Sequence, residues 1–384
     1  MFSDVIGFIK ELYGNEQFIP LHAPVFKGNE KKYVNEAIDS TFVSSVGAFV
    51  DRFEVEFAKY VGAKKAVVTG NGTSALHAAL HLLGVSNDDE VVTQALTFVA
   101  TPNAISYCGA HPIFLDSDED TLGLSPSSLE QFLSDCAEIR DGVCYNKKTN
   151  RRIRACMPMH VFGHPVKIRD IVKICDAFCI PVLEDAAESL GSVYDGVHTG
   201  LYGRIGVFSF NGNKIITSGG GGMIVTNDEA LGKRAKHLTT TAKVPHAWEF
   251  YHDEIGFNYR MPNLNAALVF GQLEQLPSFI LNKRETAEIY KNYFSKKGIQ
   301  FFSEPQLAKS NYWLNAILLK DRSERDLFLQ ETNQNGIMTR PIWNLMPDLP
   351  MYKSAYTGDL TVARSLGDRI VNIPSSVRVH GENV

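Results

Sequence analysis

The chain has 384 residues, 44% of them hydrophobic and 21% charged, with a formal net charge of −5. This length buries a large core and suits two lobes, and the acidic balance excludes an extended nucleic-acid surface, which needs an excess of Lys and Arg. A phosphorylated small molecule stays open as a ligand, because local donors decide that. No apolar run approaches a membrane span, so no membrane partner is expected. The opening residues "MFSDVIGFIKELYGNEQF" show no long apolar core behind a basic start, so no secretory signal is expected. Six cysteines form no framework, and buried thiols in a reducing cytoplasm are expected. Cys175 and Cys179 stand one helical turn apart.

Between residues 65 and 230 short apolar runs alternate with helical patterns. Strands are predicted at Ala66–Thr69, Glu90–Thr93, Pro112–Asp116, Ala155–His160, Ile180–Glu184 and Val207–Phe210. Leu76, Ala79, Leu80 and Leu83 share one helical face, as do Ile168, Ile171, Val172 and Cys175. This alternation implies a mainly parallel sheet flanked by helices, an α/β lobe over residues 20–262. Beyond residue 263 a long amphipathic stretch to Lys297, a strand at Tyr312–Leu319 and a helix at Glu324–Asn335 imply a smaller α+β lobe. That lobe spans residues 263–384 and is joined by the N-terminal segment 1–19.

Ligands of such sheets sit at the carboxyl ends of strands, so the loops there hold the candidates. "VVTGNGTSALHAALHLLG" places a Gly70-Asn71-Gly72 turn before a helix that starts at Thr73 or Ser74. Free N–H groups at that helix end, with two hydroxyls, favour a phosphate, and the glycines allow it close. Alone, the stretch reads equally as an ordinary capped helix. His77 and His81 lack an adjacent acidic ligand, so no metal site is expected. "TQALTFVATPNA" puts Phe98 where an aromatic ring stacks on a flat ligand or simply joins the core. "IPVLEDAAESLGS" sets Glu184, Asp185 and Glu188 after a buried strand, where carboxylates need partners. "SFNGNKIITSGGGG" surrounds Lys214 with Ser209, Asn211 and the glycines 219–222. A lysine sheltered in this way is a nucleophile toward an aldehyde.

A phosphate cradle, an aromatic ring, a carboxylate and an amine on one frame are what pyridoxal 5′-phosphate requires. The same residues resemble a known family. "GNGTSALHAAL", "TFVATPNAI", "EDAAESLGS", "SFNGNKIITSGGGG" and "GFNYRMPNLNAAL" are similar, in this order, to the blocks of the fold-type-I, pyridoxal-phosphate-dependent nucleotide-sugar aminotransferases of the DegT/StrS type. The resemblance covers nearly the whole chain. It implies that Lys214 is the Schiff-base lysine and proton shuttle, and that Asp185 is the partner of the pyridine nitrogen. It further implies that Thr73, Ser74 and Ser209 are phosphate ligands, that Gly72 and Asn211 also bind the cofactor, and that Phe98 belongs to its ring and Glu188 to its polar surroundings. Asn258 resembles an asparagine that reaches the phosphate from a neighbouring subunit, which implies a homodimer with shared active sites. Where a minority branch carries histidine in place of the lysine and dehydrates its sugar, this chain keeps Lys214.

Within the family, "SFNGNKIIT", "TTTAKVPHAWEF" and "TRPIWNLMP" look most like the branch that aminates C4 of UDP-linked 4-keto-6-deoxy-N-acetylhexosamines with L-glutamate. A dTDP- or GDP-linked sugar is the alternative, followed by a dehydratase and a non-catalytic regulator. Lys243, His246, Arg260 and Trp343 are the candidate substrate contacts.

Overall fold

The computed structural model describes residues 2–379. Seven strands make the main sheet: β1 (Lys65–Thr69), β2 (Glu90–Gln94), β3 (His111–Leu115), β4 (Ile153–Cys156), β5 (Leu183–Asp185), β6 (Ile205–Ser209) and β7 (Gly222–Thr226). Their order is β1-β7-β6-β5, continued through parallel bridges Cys156–Val182 and Met159–Asp185 into β4-β2-β3. The short strand Tyr356–Thr357 extends it in parallel beside β3. All neighbours run parallel except β7, which is antiparallel to both β1 and β6. The sequence reading found six of these strands and missed β7. Its residues, "GMIVT", follow a glycine run that reads as loop, yet every one of them is buried.

Helices Gly72–Leu82, Ala100–Tyr107, Ile168–Ala177 and Glu229–Thr239 cover the sheet. Their starts follow capping chemistry: Asn71 and Asp228 accept backbone N–H groups of their own first turns. Cys175 and Cys179, one helical turn apart in sequence, do not share a helix: it ends at Ala177, and Cys179 stands at φ +58° as an exposed thiol, against the expectation of burial, while Cys175 is buried.

A 34-residue helix, Asn263–Lys296, then leads to an antiparallel sheet. Its order is Gln300–Phe301, Asn315–Leu318, Ile370–Ile373 and Arg340–Pro341. The N-terminal helix Ser3–Leu12 buries Val5, Ile6 and Ile9 in a cluster with Tyr290, Phe294, Phe328 and Ile373, so chain start and C-terminal sheet share one core. Among the described residues no helix is long and apolar enough to cross a membrane.

His164 lies where the two sheets' surroundings meet, fully buried against Phe302 and Tyr312 with both ring nitrogens unpartnered among the described residues. Burial pushes its pKa down to about 3, opposed by the charge of Glu304. An unfolded histidine takes its proton near pH 6.5, so the folded chain binds fewer protons below that value and stability is lost as pH falls from 6.5 towards 3. At pH 5 this residue alone accounts for a loss of about 2 kcal/mol. His164→Phe keeps a ring in place and removes that part of the acid sensitivity. Urea midpoints of both proteins at pH 7 and pH 5 check it.

Candidate active site

The carboxyl ends of β1, β2, β5 and β6 share one edge of the main sheet, and the loops leaving them surround a cavity of about 770 Å³. Gly72, Thr73, Phe98, Asp185 and Glu188 line it, together with Ser209, Asn211, Lys214 and Trp343. The structure therefore brings nine of the residues singled out in the sequence to one place.

One end of the cavity is built from a helix start. Asn71 Oδ1 accepts the Ser74 N–H at 2.8 Å and the Asn71 carbonyl accepts that of Ala75. The N–H groups of Gly72 and Thr73 keep no partner among the described residues, as expected for a first helical turn. Ser209 ends β6 directly opposite: a Cβ on Gly72 would meet Ser209 Cβ at 2.9 Å. Glycine is thus required for this contact, and free N–H groups and a hydroxyl stand together there, a donor set suited to an anion. On the far side a Cβ on Gly222 would stand 2.6 Å from the Asn71 carbonyl oxygen, so β7 must also begin with glycine. Ser74 does not line the cavity, since its N–H serves the cap.

Strand alternation sends Glu184 and Asp185 to opposite faces. Glu184 accepts the N–H groups of Gly200, Tyr202 and Gly203 at 2.8, 2.7 and 2.6 Å, and His160 Nε2 at 3.0 Å. His160 Nδ1 accepts the Val166 N–H at 3.1 Å, which places the ring proton on Nε2. Glu184 is thereby satisfied and structural. Asp185 faces the cavity, its Oδ2 accepting from Thr101 Oγ1 at 2.8 Å and its Oδ1 from the Ala187 N–H at 3.1 Å. Burial pushes its carboxyl pKa up, opposed by Thr101, the Ala187 N–H and the charges of Lys214 and His160. A carboxylate in this state gains most from a cationic N–H, such as a protonated ring nitrogen.

Lys214 belongs to the connection between the antiparallel strands β6 and β7, tied at its base by Phe210 N–H to Gly221 O at 2.8 Å. Its side chain is 12% exposed, and Nζ donates to Glu188 Oε1 at 3.1 Å. The same Nζ sits 4.0 Å from the centroid of the Trp313 ring, whose Nε1 donates to the Asn213 carbonyl at 2.7 Å. Glu188 Oε2 accepts the Phe162 N–H at 2.9 Å, and burial pushes this carboxyl pKa up while the Lys214 charge opposes the shift. Phe162 adopts φ +55°, a left-handed conformation that a bulky residue holds only under constraint. The constraints are its N–H on Glu188 and its ring, 5.2 Å from Trp343. Phe98 meets Trp343 edge-on at 6.0 Å and is 45% exposed.

The remaining candidates lie elsewhere. Asn258 accepts from Arg260 Nε at 2.9 Å, and neither residue lines the cavity. Their neighbour Tyr259 does abut the turn after β1, accepting the Gly70 N–H at 2.8 Å. Lys243 Nζ sits 3.9 Å over the Phe250 ring, and His246 Nδ1 accepts the Glu249 N–H at 3.0 Å, both on an exposed excursion between residues 243 and 256. Sequence reasoning missed Trp313, Arg340, Asn344 and Asn372, which complete the wall from the C-terminal part. Trp313 sat inside a stretch read only as a strand, and a β-sheet pattern carries no mark of which residue faces a ligand.

The donor set fits pyridoxal 5′-phosphate: a cradle for phosphate at Gly72, Thr73 and Ser209, a buried carboxylate facing the cavity at Asp185 and an amine at Lys214. Residues 24–384 match the model of the DegT/DnrJ/EryC1/StrS aminotransferase family. The chain is 39% identical over 368 residues to GDP-perosamine synthase of Escherichia coli O157:H7, covering 96% of both proteins. It is also 39% identical to the putative pyridoxal phosphate-dependent aminotransferase EpsN of Bacillus subtilis, covering 93% of this chain and 90% of that one. The crystal structure of the aminotransferase TlmJ from Streptoalloteichus hindustanus superposes with a TM-score of 0.84 at 27% identity, over 93% of each chain. This chain belongs to the DegT/DnrJ/EryC1/StrS family of pyridoxal-phosphate-dependent sugar aminotransferases.

Proposed function

We propose that the protein moves an amino group from L-glutamate to the C4 keto carbon of a 4-keto-6-deoxy sugar carried on a nucleoside diphosphate, GDP in the first place. The observation that carries this reading is the cluster of Lys214, Glu188 and Asp185 on one cavity wall, facing a phosphate cradle. The GDP assignment rests on the similarity to GDP-perosamine synthase. A second reading, a UDP-linked 4-keto-6-deoxy-N-acetylhexosamine, rests on the resemblance of the segment "TRPIWNLMP", whose Trp343 and Asn344 line the cavity.

Bound pyridoxal phosphate supplies the electron sink for a carbanion at the amino-bearing carbon. Gly72 and Thr73 N–H groups with Ser209 Oγ would hold its phosphate, and Asp185 would keep its ring nitrogen protonated. Lys214 Nζ takes the proton from the donor's α-carbon and later returns one to the sugar's C4. Glu188 orients that amine and steadies it when it carries a proton. The aromatic wall of Phe98, Phe162 and Trp343 keeps bulk water from the reacting carbon.

We infer further that two copies share their sites. Asn258, Arg260, Lys243 and His246 are outside the cavity of their own chain, and Trp248, Phe250, Tyr251 and Ile255 beside them are 77, 81, 62 and 87% exposed. An apolar tip of this kind is a contact surface.

The test is incubation with L-glutamate and a panel of GDP-, UDP- and dTDP-linked 4-keto-6-deoxy sugars, reading product mass and 2-oxoglutarate. An aminated GDP sugar with stoichiometric 2-oxoglutarate is the expected result. An aminated UDP sugar alone selects the second reading. Loss of a hydroxyl without 2-oxoglutarate overturns transamination.

A further inference from the structure

The cavity wall supplied by the C-terminal sheet carries donors that the proton transfers leave idle. Arg340 and Asn372 are direct cross-strand neighbours in the antiparallel pair of Arg340–Pro341 with Ile370–Ile373, and both line the cavity. Asn372 is 3% exposed, and its Nδ2 has no hydrogen-bond partner among the described residues. A buried amide donor without an acceptor is costly, and a bound acceptor removes the cost. Arg340 has only its Nη1 engaged, by Asn333 Oδ1 at 3.0 Å and the Thr339 carbonyl at 2.9 Å, and it pairs with no carboxylate among the described residues. Arg284, by contrast, is held by Glu304 at 2.6 Å. A charged planar fork beside an orphaned amide, on one wall of a binding cavity, is a site for a two-oxygen anion.

We propose that Arg340 and Asn372 grip the α-carboxylate of the amino-acid donor. The proposal rests on the aminotransferase reading and adds the donor's binding site to it. Placement decides between this carboxylate and the diphosphate of the nucleotide sugar. Asn372 pairs with Ala316 on the strand that begins just after Trp313, and the Trp313 ring lies against Lys214 Nζ. In an amino acid the carboxylate is bonded to the very carbon that gives up its proton. In the nucleotide sugar the whole hexose ring separates C4 from the diphosphate.

Calorimetric titration of the holoenzyme with glutarate, and separate KM values for glutamate and nucleotide sugar, test it. Arg340→Gln and the isosteric Asn372→Asp should each weaken glutarate binding and raise the glutamate KM at least tenfold. The nucleotide-sugar KM should stay within twofold. Arg340→Lys, which keeps charge without the fork, should fall between. Unchanged glutarate affinity and glutamate KM in Arg340→Gln overturn the proposal, as does a raised nucleotide-sugar KM with an intact glutamate KM. Arg340 is exposed, so its variants fold even where Asn372→Asp does not. Glutarate binding and 2-oxoglutarate release require no sugar, so they remain readable if the sugar assignment fails.

Discussion

Lys214→Ala protein will release 2-oxoglutarate from glutamate at least about 10³-fold more slowly than the parent, because it loses both the nucleophile and the group that carries the α-proton. The substitution also strips Glu188 of its cation at 3.1 Å, in a site where that carboxylate is 1% exposed. Burial already pushes the Glu188 carboxyl pKa up, and loss of the opposing Lys214 charge pushes it further in the same direction, which eases the strain of the unpaired group. The melting temperature therefore falls by only a few degrees while activity collapses, and the two measurements separate catalytic from structural loss. Added methylamine should restore part of the rate by serving as the missing base. An undiminished rate without added amine sinks the assignment.

Asp185→Asn will lower kcat/KM by about 10²–10³-fold, the usual effect of removing one preorganised electrostatic partner. The change is isosteric: the amide oxygen still accepts the Ala187 N–H, and the new NH2 group donates to the Thr101 hydroxyl, which turns to accept, so the fold is expected to survive. What disappears is the negative charge facing the cavity. Glu184→Gln, one residue away, is the matched control. That side chain serves three backbone N–H groups and His160, so its loss lowers stability and leaves kcat of the surviving enzyme near the parental value. Equal kinetic effects at the two positions would show Asp185 to be structural.

How far the sequence carried this reading depended on which interactions are local. The turn Gly70-Asn71-Gly72 and its cap lie within a few residues, so the cradle was legible from hydroxyls, glycines and a helical period. Three carboxylates at the end of β5 and just beyond it were legible as a group, but their division of labour was not. Only sheet register shows that Glu184 turns to His160 while Asp185 turns to the cavity. β7 was invisible because glycine precedes it and its two antiparallel partners come from distant parts of the chain. Trp313, Arg340 and Asn372 were illegible for the same reason, arriving from a second sheet by tertiary packing. Asn258, Arg260, Lys243 and His246 were named from a resemblance, and in one chain they remain outside the cavity.

The pairing of β1 with β7 bears on how the molecule is made. Lys65 lies opposite Thr226, and Thr69 opposite Gly222, so this pairing sets the turn after β1 against the lysine loop before β7. During synthesis the Gly70–Thr73 part of the cradle emerges early and waits, unpaired, until the segment to residue 226, Ser209 included, has left the ribosome. Contacts of such long sequence separation form late and slowly. The nascent chain therefore has no competent cofactor site until the central strands have closed on each other. Capture of pyridoxal phosphate then reports on the one folding event that most of the sheet depends on, and newly made protein that fails this closure remains colourless.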